Sequence, residues 1–415
     1  MEFKITKADE AKLSSLVKMT QTVSDVSVKS NHFVLKADGN KLFSVIYGNG
    51  NAVKFATEIS DLVKNPTDTG YFYLDMGQFL QSIEKVFISS GEDVATVNVE
   101  TTKVVCSAGK SKISFNLFDT FDTADCEEAF NAIDSKKATS FTNKAADAAA
   151  AIVTQEIMDF ADVVGKFITM IGADRVTGLA LEGNTLMYSD QAFSIVKKTL
   201  STDATSTRNG KVDRRFIPQS MFAFLSSLVK IKNPVNVTYS DDDSLVYVNE
   251  PDMNFEALLS MPLVVCEYPD DATLASICPD PKDEFRFDID IPTFLTKMST
   301  FDGVFPSSTW RWKSVDFSMG SADSVASLAH SNFNAEVDTD LPVTNPAITS
   351  SKPNLSFKIA TIILYDYLNK LASGNQTVNV EVGAGEPDEE HGAGIKFTLP
   401  GLSIVMSKML KEEEV

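Results

Sequence analysis

The chain has 415 residues, 43% of them hydrophobic, and a formal net charge of −20 at neutral pH. This length predicts two to four domains with apolar cores. No apolar run approaches the roughly 18 residues of a membrane span. The four scattered cysteines (Cys106, Cys126, Cys266 and Cys278) form no CxxC pair, and the charged start, MEFKITKADE, predicts no signal peptide. We therefore expect a reducing, cytoplasmic location.

A short strand followed by a helix that ends in lysine is written twice in nearly the same letters. LSSLVK occupies residues 13–18 and again residues 225–230. FKI at residues 3–5 precedes the first copy, and RFI at residues 215–217 precedes the second. In both copies the lysine follows the isoleucine by 13 residues. This regularity indicates a repeated structural unit, which has to be recognised before any fold is assigned.

Four more segments have the same pattern, at residues 71–87, 153–171, 285–301 and 357–371. The stretches after the helices alternate apolar and polar residues around turns, which predicts strands and hairpins. Residues 95–117, for example, predict three short strands, and residues 235–250 predict a hairpin around Asp241–Asp243. The chain therefore contains six predicted β-α-β-β-β units.

Paired in order, the six units predict three domains of α+β class. The first spans residues 1–122, the second residues 149–266 and the third residues 285–415. Residues 123–148 have little strand pattern and predict a long connector. Residues 267–284 are rich in proline and aspartate, as is typical of linkers.

Each of the six predicted helices carries a lysine away from its apolar stripe. A helix turns about 100° per residue, which places the lysines opposite the stripe or on its flank. The six are Lys18, Lys85, Lys166, Lys230, Lys297 and Lys370. A lysine near a helix C-terminus is also an ordinary solvated charge that the helix dipole favours, and the same helices carry acidic residues. Agreement among all six favours a shared positive surface inside an acidic chain.

This layout resembles the DNA sliding clamps of bacteria and their phages. The resemblance covers nearly the whole chain and rests on the repeated units and their lysines. It implies the DNA-clamp fold, with three domains per subunit, antiparallel sheets outside and helices inside. It also implies a homodimeric ring around duplex DNA that tethers a replicative DNA polymerase, with a clamp loader as a further partner. The implied location is the cytoplasm of a bacterium or of a phage-infected host.

Clamps of this family bind partner peptides in an apolar pocket between the second and third domains, and three stretches resemble its walls. The resemblance implies roles for Ser189 and Asp190 in YSDQAF, where the family's Gly-His-Arg run is replaced by Gln191, Ala192 and Phe193. It implies the same for Pro234 in NPVNV. In the C-terminal strand it implies roles for Val405 and Met406.

The residues offer no support for catalysis, a metal or another cofactor. His32, His330 and His391 lack metal-ligand spacing. Gly109–Ser111 reads GKS, but position 104 is valine where a phosphate loop needs glycine, and the context predicts strands. Asp241–Asp243 reads as a turn. Two alternatives to a ring stay open: an open viral polymerase accessory factor, and a β-rich phage structural or interaction protein that binds no DNA.

Overall fold

A computed structural model describes most of the chain in two compact units. The described residues are 2–21, 32–38, 41–48, 51–58, 71–117, 123–142, 150–168, 178–189, 194–205, 207–208, 211–261, 268, 271–305, 315–320, 324–331, 335–350, 352, 354–359, 361–372, 374–384 and 393–408. Unit 1 comprises residues 1–155, 208–211 and 220–263. Unit 2 comprises residues 156–207, 212–219 and 264–415.

The α-helices have the following bounds: α1 (Lys7–Gln21), α2 (Met76–Ser90), α3 (Thr123–Ser140), α4 (Gln155–Ile168), α5 (Phe222–Ile231), α6 (Asp271–Ile277), α7 (Ile291–Val304) and α8 (Thr361–Leu371). Strands of the first half are β1 (Glu2–Thr6), β2 (His32–Asp38), β3 (Lys41–Gly48), β4 (Asn51–Glu58), β5 (Tyr71–Asp75), β6 (Val94–Val99), β7 (Lys103–Ala108), β8 (Ser111–Asn116), β9 (Ala150–Val153), β10 (Gly178–Glu182), β11 (Thr185–Ser189) and β12 (Ser194–Thr199). Strands of the second half are β13 (Thr207–Arg208), β14 (Lys211–Val212), β15 (Arg214–Pro218), β16 (Val235–Tyr239), β17 (Leu245–Glu250), β18 (Phe255–Ser260), β19 (Glu284–Asp290), β20 (Val315–Gly320), β21 (Val325–Ser331), β22 (Glu336–Ile348), β23 (Asn354–Ile359), β24 (Thr377–Gly383), β25 (Ile395–Leu399) and β26 (Leu402–Met406).

This order confirms the six predicted β-α-β-β-β units. Their first strands are β1, β5, β9, β15, β19 and β23, and each is followed by its helix and three further strands. The units exchange first strands in consecutive pairs. In the first pair, β1 joins β6 and β5 joins β2; in the last, β19 joins β24 and β23 joins β20. Strand exchange therefore links the repeats in consecutive pairs.

Unit 1 contains a four-stranded sheet, β1-β6-β7-β8, and an eight-stranded sheet, β5-β2-β3-β4-β18-β17-β16-β9. All of its strand pairs are antiparallel. Helix α1 packs between α2 and α5, so the two LSSLVK helices lie side by side. Phe224 of α5 stacks on Phe255 of β18 with ring centroids 6.0 Å apart, and both rings are fully buried.

Unit 2 is built on a twelve-stranded sheet, β15-β10-β11-β12-β26-β25-β24-β19-β22-β21-β20-β23. Strand β22 pairs with β21 along residues 336–342 and with β19 from Val343 onward. The change of partner coincides with a register shift in β19 and with Asn345, whose φ is 53°. Helices α7 and α8 pack against each other. Phe317 stacks between Phe287 and Phe357, at 5.5 and 4.9 Å, in the core.

The segment predicted to be a connector contains a helix that the sequence analysis did not anticipate. Helix α3 buries Cys126, Ala129, Phe130 and Ile133, at the i, i+3, i+4, i+7 spacing of an amphipathic helix. The predicted linker 267–284 likewise contains α6. The two compact units divide the predicted second domain between them, and the three-domain boundaries stay a prediction.

Candidate DNA-facing helices, partner pocket and open sheet edges

All six predicted lysines lie on the helices of their own repeat units. Lys85, Lys230 and Lys370 are exposed, and Lys297 is half-buried. The side chains of Lys18 and Lys166 lie outside the described residues, although both positions are helical. Sequence reasoning therefore placed the lysines correctly on helices, and their contact with DNA stays a prediction.

Local capping and packing fix the face that α2 presents to solvent. Asp75 caps the helix start by accepting a hydrogen bond from the backbone N–H of Gln78 at 2.7 Å. Phe79, Ile83 and Val86 are fully buried against the sheet of β6, β7 and β8. Lys85 is exposed on the opposite face, as its position relative to the buried stripe predicts.

The second LSSLVK helix follows the same rule. Phe224, Leu225, Leu228 and Val229 of α5 are buried, whereas Lys230 in the last turn is exposed. In the first copy, Leu13 is also buried and corresponds to Leu225. The repeated LSSLVK sequence therefore forms a helix whose apolar side is buried and whose last turn carries a lysine.

Positive charge on the described helix faces is sparse. The exposed Glu84 precedes Lys85 on α2, and the half-buried Asp366 lies one turn before Lys370 on α8. A surface with few lysines attracts DNA phosphates weakly, because the affinity grows with the number of phosphates that are neutralised. The attraction falls as salt is added, because each neutralised phosphate releases counterions. It provides no arrangement for reading base sequence among the described side chains.

Three of the predicted pocket residues lie close together on consecutive strands of unit 2. Ser189 on β11 is opposite Ile195 on β12, which is opposite Val405 on β26. These side chains share one face of the sheet. Met406 lies on the other face, because it pairs with Ser194, whose hydroxyl is 3.3 Å from the Tyr367 hydroxyl of α8. Asp190 lies outside the described residues.

Pro234 belongs to unit 1 and precedes β16. It is exposed, and its peptide bond to Asn233 is cis. The neighbouring Lys232 donates a 2.7 Å hydrogen bond to Asp252, and this bond and the Asp252 charge raise the pKa of Lys232. The α5–β16 turn is thereby attached to the end of β17. The pocket role of all five residues stays a prediction.

Strand β8 is an edge strand that the sequence analysis did not single out. It ends the sheet β1-β6-β7-β8, and Lys112, Ser114 and Asn116 are exposed along it. The neighbouring helix α2 carries Ile88, which is 75% exposed. An open strand edge beside an exposed apolar side chain is a ready site for another chain.

The first half of β22 presents a second edge, of opposite charge. Over residues 336–342 it pairs, among the described strands, with β21 alone. Glu336, Asp338 and Asp340 are exposed along it and point to one face, since strand residues alternate. The adjacent α7 ends at Val304, which is 46% exposed. In the sequence, the alternating stretches EVDTD (residues 336–340) and KSKIS (residues 110–114) predict strands. The order of strands in the sheets is needed to identify these strands as edges.

Two sequence motifs prove to be turns. Gly109 and Lys110 connect β7 to β8, so no helix follows the GKS motif and a phosphate loop is excluded. Asp242 accepts hydrogen bonds from the Ser244 and Ser240 hydroxyls at 2.6 and 2.8 Å, which lower its pKa to about 2. Among the described residues, no cluster of three His, Cys, Asp or Glu side chains could hold a metal, and no helix is long and apolar enough to cross a membrane.

The architecture is that of the beta clamps. Solved structures of beta clamps match this chain over 99% of its length. One is DNA polymerase III subunit beta from Pseudomonas aeruginosa, with a TM-score of 0.67, 14% identity and 100% of that chain covered. Another is the Helicobacter pylori beta clamp bound to a DNA ligase peptide, with a TM-score of 0.66, 12% identity and 100% coverage. A third is the beta subunit from Thermotoga maritima, with a TM-score of 0.64, 12% identity and 99% coverage. No protein-family model and no curated protein sequence matches. The chain therefore has the beta-clamp fold along nearly its whole length.

Proposed function

We propose that the chain is a DNA sliding clamp, a ring-shaped processivity factor that encircles duplex DNA and tethers a replicative DNA polymerase. The observation that carries this proposal is the full-length beta-clamp fold, repeated units included. In this role the protein performs no chemistry. It raises the local concentration of polymerase at the template, so that rebinding becomes intramolecular.

The distribution of charge supports sliding rather than gripping. A clamp has to hold DNA without stopping at any sequence, so weak phosphate contacts suit it better than base contacts. The six repeat helices supply one predicted lysine each within a chain of net charge −20. The remaining acidic surface would repel DNA and help to keep it near the lysines. The closed ring around the duplex, rather than strong binding, would keep the protein on the DNA.

A homodimeric ring is supported by the two open sheet edges. In this proposal, β8 of one copy pairs with the first half of β22 of a second copy, adding a strand to each sheet. The exposed Lys112 would face the acidic row of Glu336, Asp338 and Asp340. Ile88 and Val304 would supply apolar contact beside the strands. Because each copy offers both edges, two copies can pair head to tail twice, and a ring of six predicted domains is the closed form of that pairing.

The partner site is proposed where β11, β12 and β26 run side by side. Ser189 and Val405 lie in one cross-strand row there, and Val405 is 6% exposed in the chain alone. A short peptide with apolar anchors fits such a wall. The Helicobacter pylori clamp in the comparison is bound to a DNA ligase peptide. We extend that mode of binding to a polymerase and to a clamp loader for this chain, in a bacterial or phage-infected cytoplasm.

The experiment that tests the ring is the solution mass, measured by light scattering on a sizing column across protein concentrations. We expect a dimer of about 90 kDa, twice the 45.2 kDa of the chain. A monomer at every concentration would contradict the ring and return the open accessory factor to consideration. A dimer that fails to thread over the free ends of linear duplex DNA would contradict the clamp and favour the structural protein.

A further inference from the structure

The eight-stranded sheet of unit 1 is joined in its middle by a short strand pair. Strand β4 belongs to the predicted first domain and β18 to the predicted second. They pair over four residues, from Phe55 opposite Phe255 to Ala52 opposite Leu258. We call this junction the β4–β18 seam. Each ladder hydrogen bond contributes only about 0.5–1.5 kcal/mol net, so side chains that pack across the seam can decide how firmly its two halves are held.

Helix α3 lies across this seam on the face opposite α5. Phe255 points to α5, and Leu258, three residues further along the strand, therefore lies on the other face. There Ile133 of α3 packs with Ala52 and Leu258, the two residues that face each other across the seam. The middle of α3 is therefore buried on the junction itself.

The N-terminal half of α3 is attached to the β4 side. Cys126, Ala129 and Phe130 pack on Val34 of β2 and Val45 of β3. The Phe130 ring also has a lysine ammonium on each flank, Lys36 Nζ at 4.5 Å and Lys54 Nζ at 4.4 Å from its centroid. Such partly desolvated cation–π contacts stabilise by roughly 0.5–2 kcal/mol each in other proteins.

The C-terminal half of α3 is attached to the β18 side. Lys137 Nζ donates to the Tyr247 hydroxyl at 2.8 Å and lies 3.3 Å from Glu256 Oε1. The Tyr247 hydroxyl donates to the same Glu256 oxygen at 2.7 Å, and burial raises the pKa of Tyr247 to about 12. At the last residue of the helix, the Ser140 carbonyl accepts a hydrogen bond from the Asp241 N–H at 2.9 Å. One helix is thus fixed on both sides of one seam.

The segment that contains α6 makes a hydrogen bond on each side of the second internal seam, between β12 and β26 in unit 2. The Tyr268 hydroxyl donates to the Gly178 carbonyl at the start of β10. Nine residues on, the Ile277 carbonyl accepts from the Gly394 N–H, at 3.1 Å, just before β25. Strands β10 and β25 lie on opposite sides of the seam in the sheet order. The segment that contains α6 therefore also crosses a seam.

We propose that α3 is a brace that holds the two halves of the eight-stranded sheet at a fixed angle. The bracing itself is a property of the single chain. It can therefore be tested without DNA, a partner or a ring, and its failure is distinguishable from failure of the clamp proposal.

The test is peptide-resolved hydrogen exchange on the full chain carrying Lys137→Met. This change keeps the aliphatic stem and removes the ammonium that binds Tyr247 and Glu256. We expect amides of residues 51–58 and 255–260 to exchange about tenfold faster, while amides of residues 94–116 in the other sheet keep their rate. Lys136→Met, at the neighbouring exposed position, is the matched control and should change neither region.

A second variant, Phe130→Ala, loosens the other end of the brace and should accelerate the same two peptides. Unchanged exchange at the seam in both variants would overturn the proposal. Equal acceleration in residues 94–116 would also overturn it, because that pattern reports general destabilisation of the unit rather than release of one seam.

Discussion

Reversing one charge on the β8 edge should weaken the proposed dimer. In Lys112→Glu, a side chain proposed to face Glu336, Asp338 and Asp340 becomes a fourth acid. Exposed ion pairs contribute about 0.2–1 kcal/mol, and like charges cost a similar amount, so about 1 kcal/mol is lost at each interface. A closed two-copy ring has two such interfaces. The expected loss of about 2 kcal/mol corresponds to roughly a thirtyfold higher dissociation constant.

The assay is sedimentation or light scattering over a concentration series at two salt concentrations. The difference between Lys112→Glu and the unmodified chain should shrink at high salt, because exposed charges are screened beyond about 10 Å at 0.1 M salt. Lys136→Glu makes the same change in net charge on α3, which packs on the eight-stranded sheet of unit 1, and is the control. It should leave the dissociation constant within about twofold.

Charge exchange sharpens this test. The chain carrying both Lys112→Glu and Asp338→Lys should recover most of the lost affinity, since the attraction is restored with the signs reversed. Lys112→Glu with a dissociation constant equal to that of the control would refute the reasoning. A double variant weaker than either single variant would show that these two edges do not meet.

Three further predictions address DNA, the core and pH. Lys85→Glu with Lys230→Glu should lower retention on DNA severalfold without changing the solution mass, because both side chains are exposed; unchanged retention would count against the lysine assignment. Phe224→Ala should lower the free energy of unfolding by about 3–5 kcal/mol in urea titrations, and a loss below 1 kcal/mol would show that the stacked ring pair is not a core contact. Burial raises the pKa of Glu284, so the folded state binds its proton more tightly than the unfolded state. Relative to Glu284→Gln, the unmodified chain should therefore gain stability as the pH falls from 7 toward 4.5, the ordinary pKa of a glutamate. A loss of stability over that pH range would contradict the direction of the pKa shift.

The repeat layout was predictable because its physical signals are local. Each unit contains the alternating pattern of strands and the 3.6-residue period of a helix. In two units the isoleucine of the strand and the lysine of the helix are also the same 13 residues apart, which aligns these two units with each other. The buried stripe of α4 was predicted in the same way, and Ile157, Phe160 and Val164 are fully buried. Exposure of Lys85 and Lys230 followed from the same geometry.

Other features depend on tertiary contacts that a sequence pattern does not encode. The burial pattern of α3 was present at Cys126, Phe130 and Ile133, but its partner surface is one face of a sheet assembled from distant strands. Edge strands such as β8 look like any alternating strand until the sheet order is known. The opposite orientation of Val405 and Met406, in contrast, could have been predicted, because neighbours in a strand point to opposite faces.

The most direct measurement of the central claim compares circular with linear DNA. The protein is cross-linked with glutaraldehyde in the presence of nicked circular duplex, washed at 1 M salt to remove phosphate contacts, and the DNA is then cut once with a restriction enzyme. A clamp should stay on the circle through the salt wash and leave when the circle is opened. Protein that leaves the intact circle as fast as it leaves linear DNA would contradict encirclement.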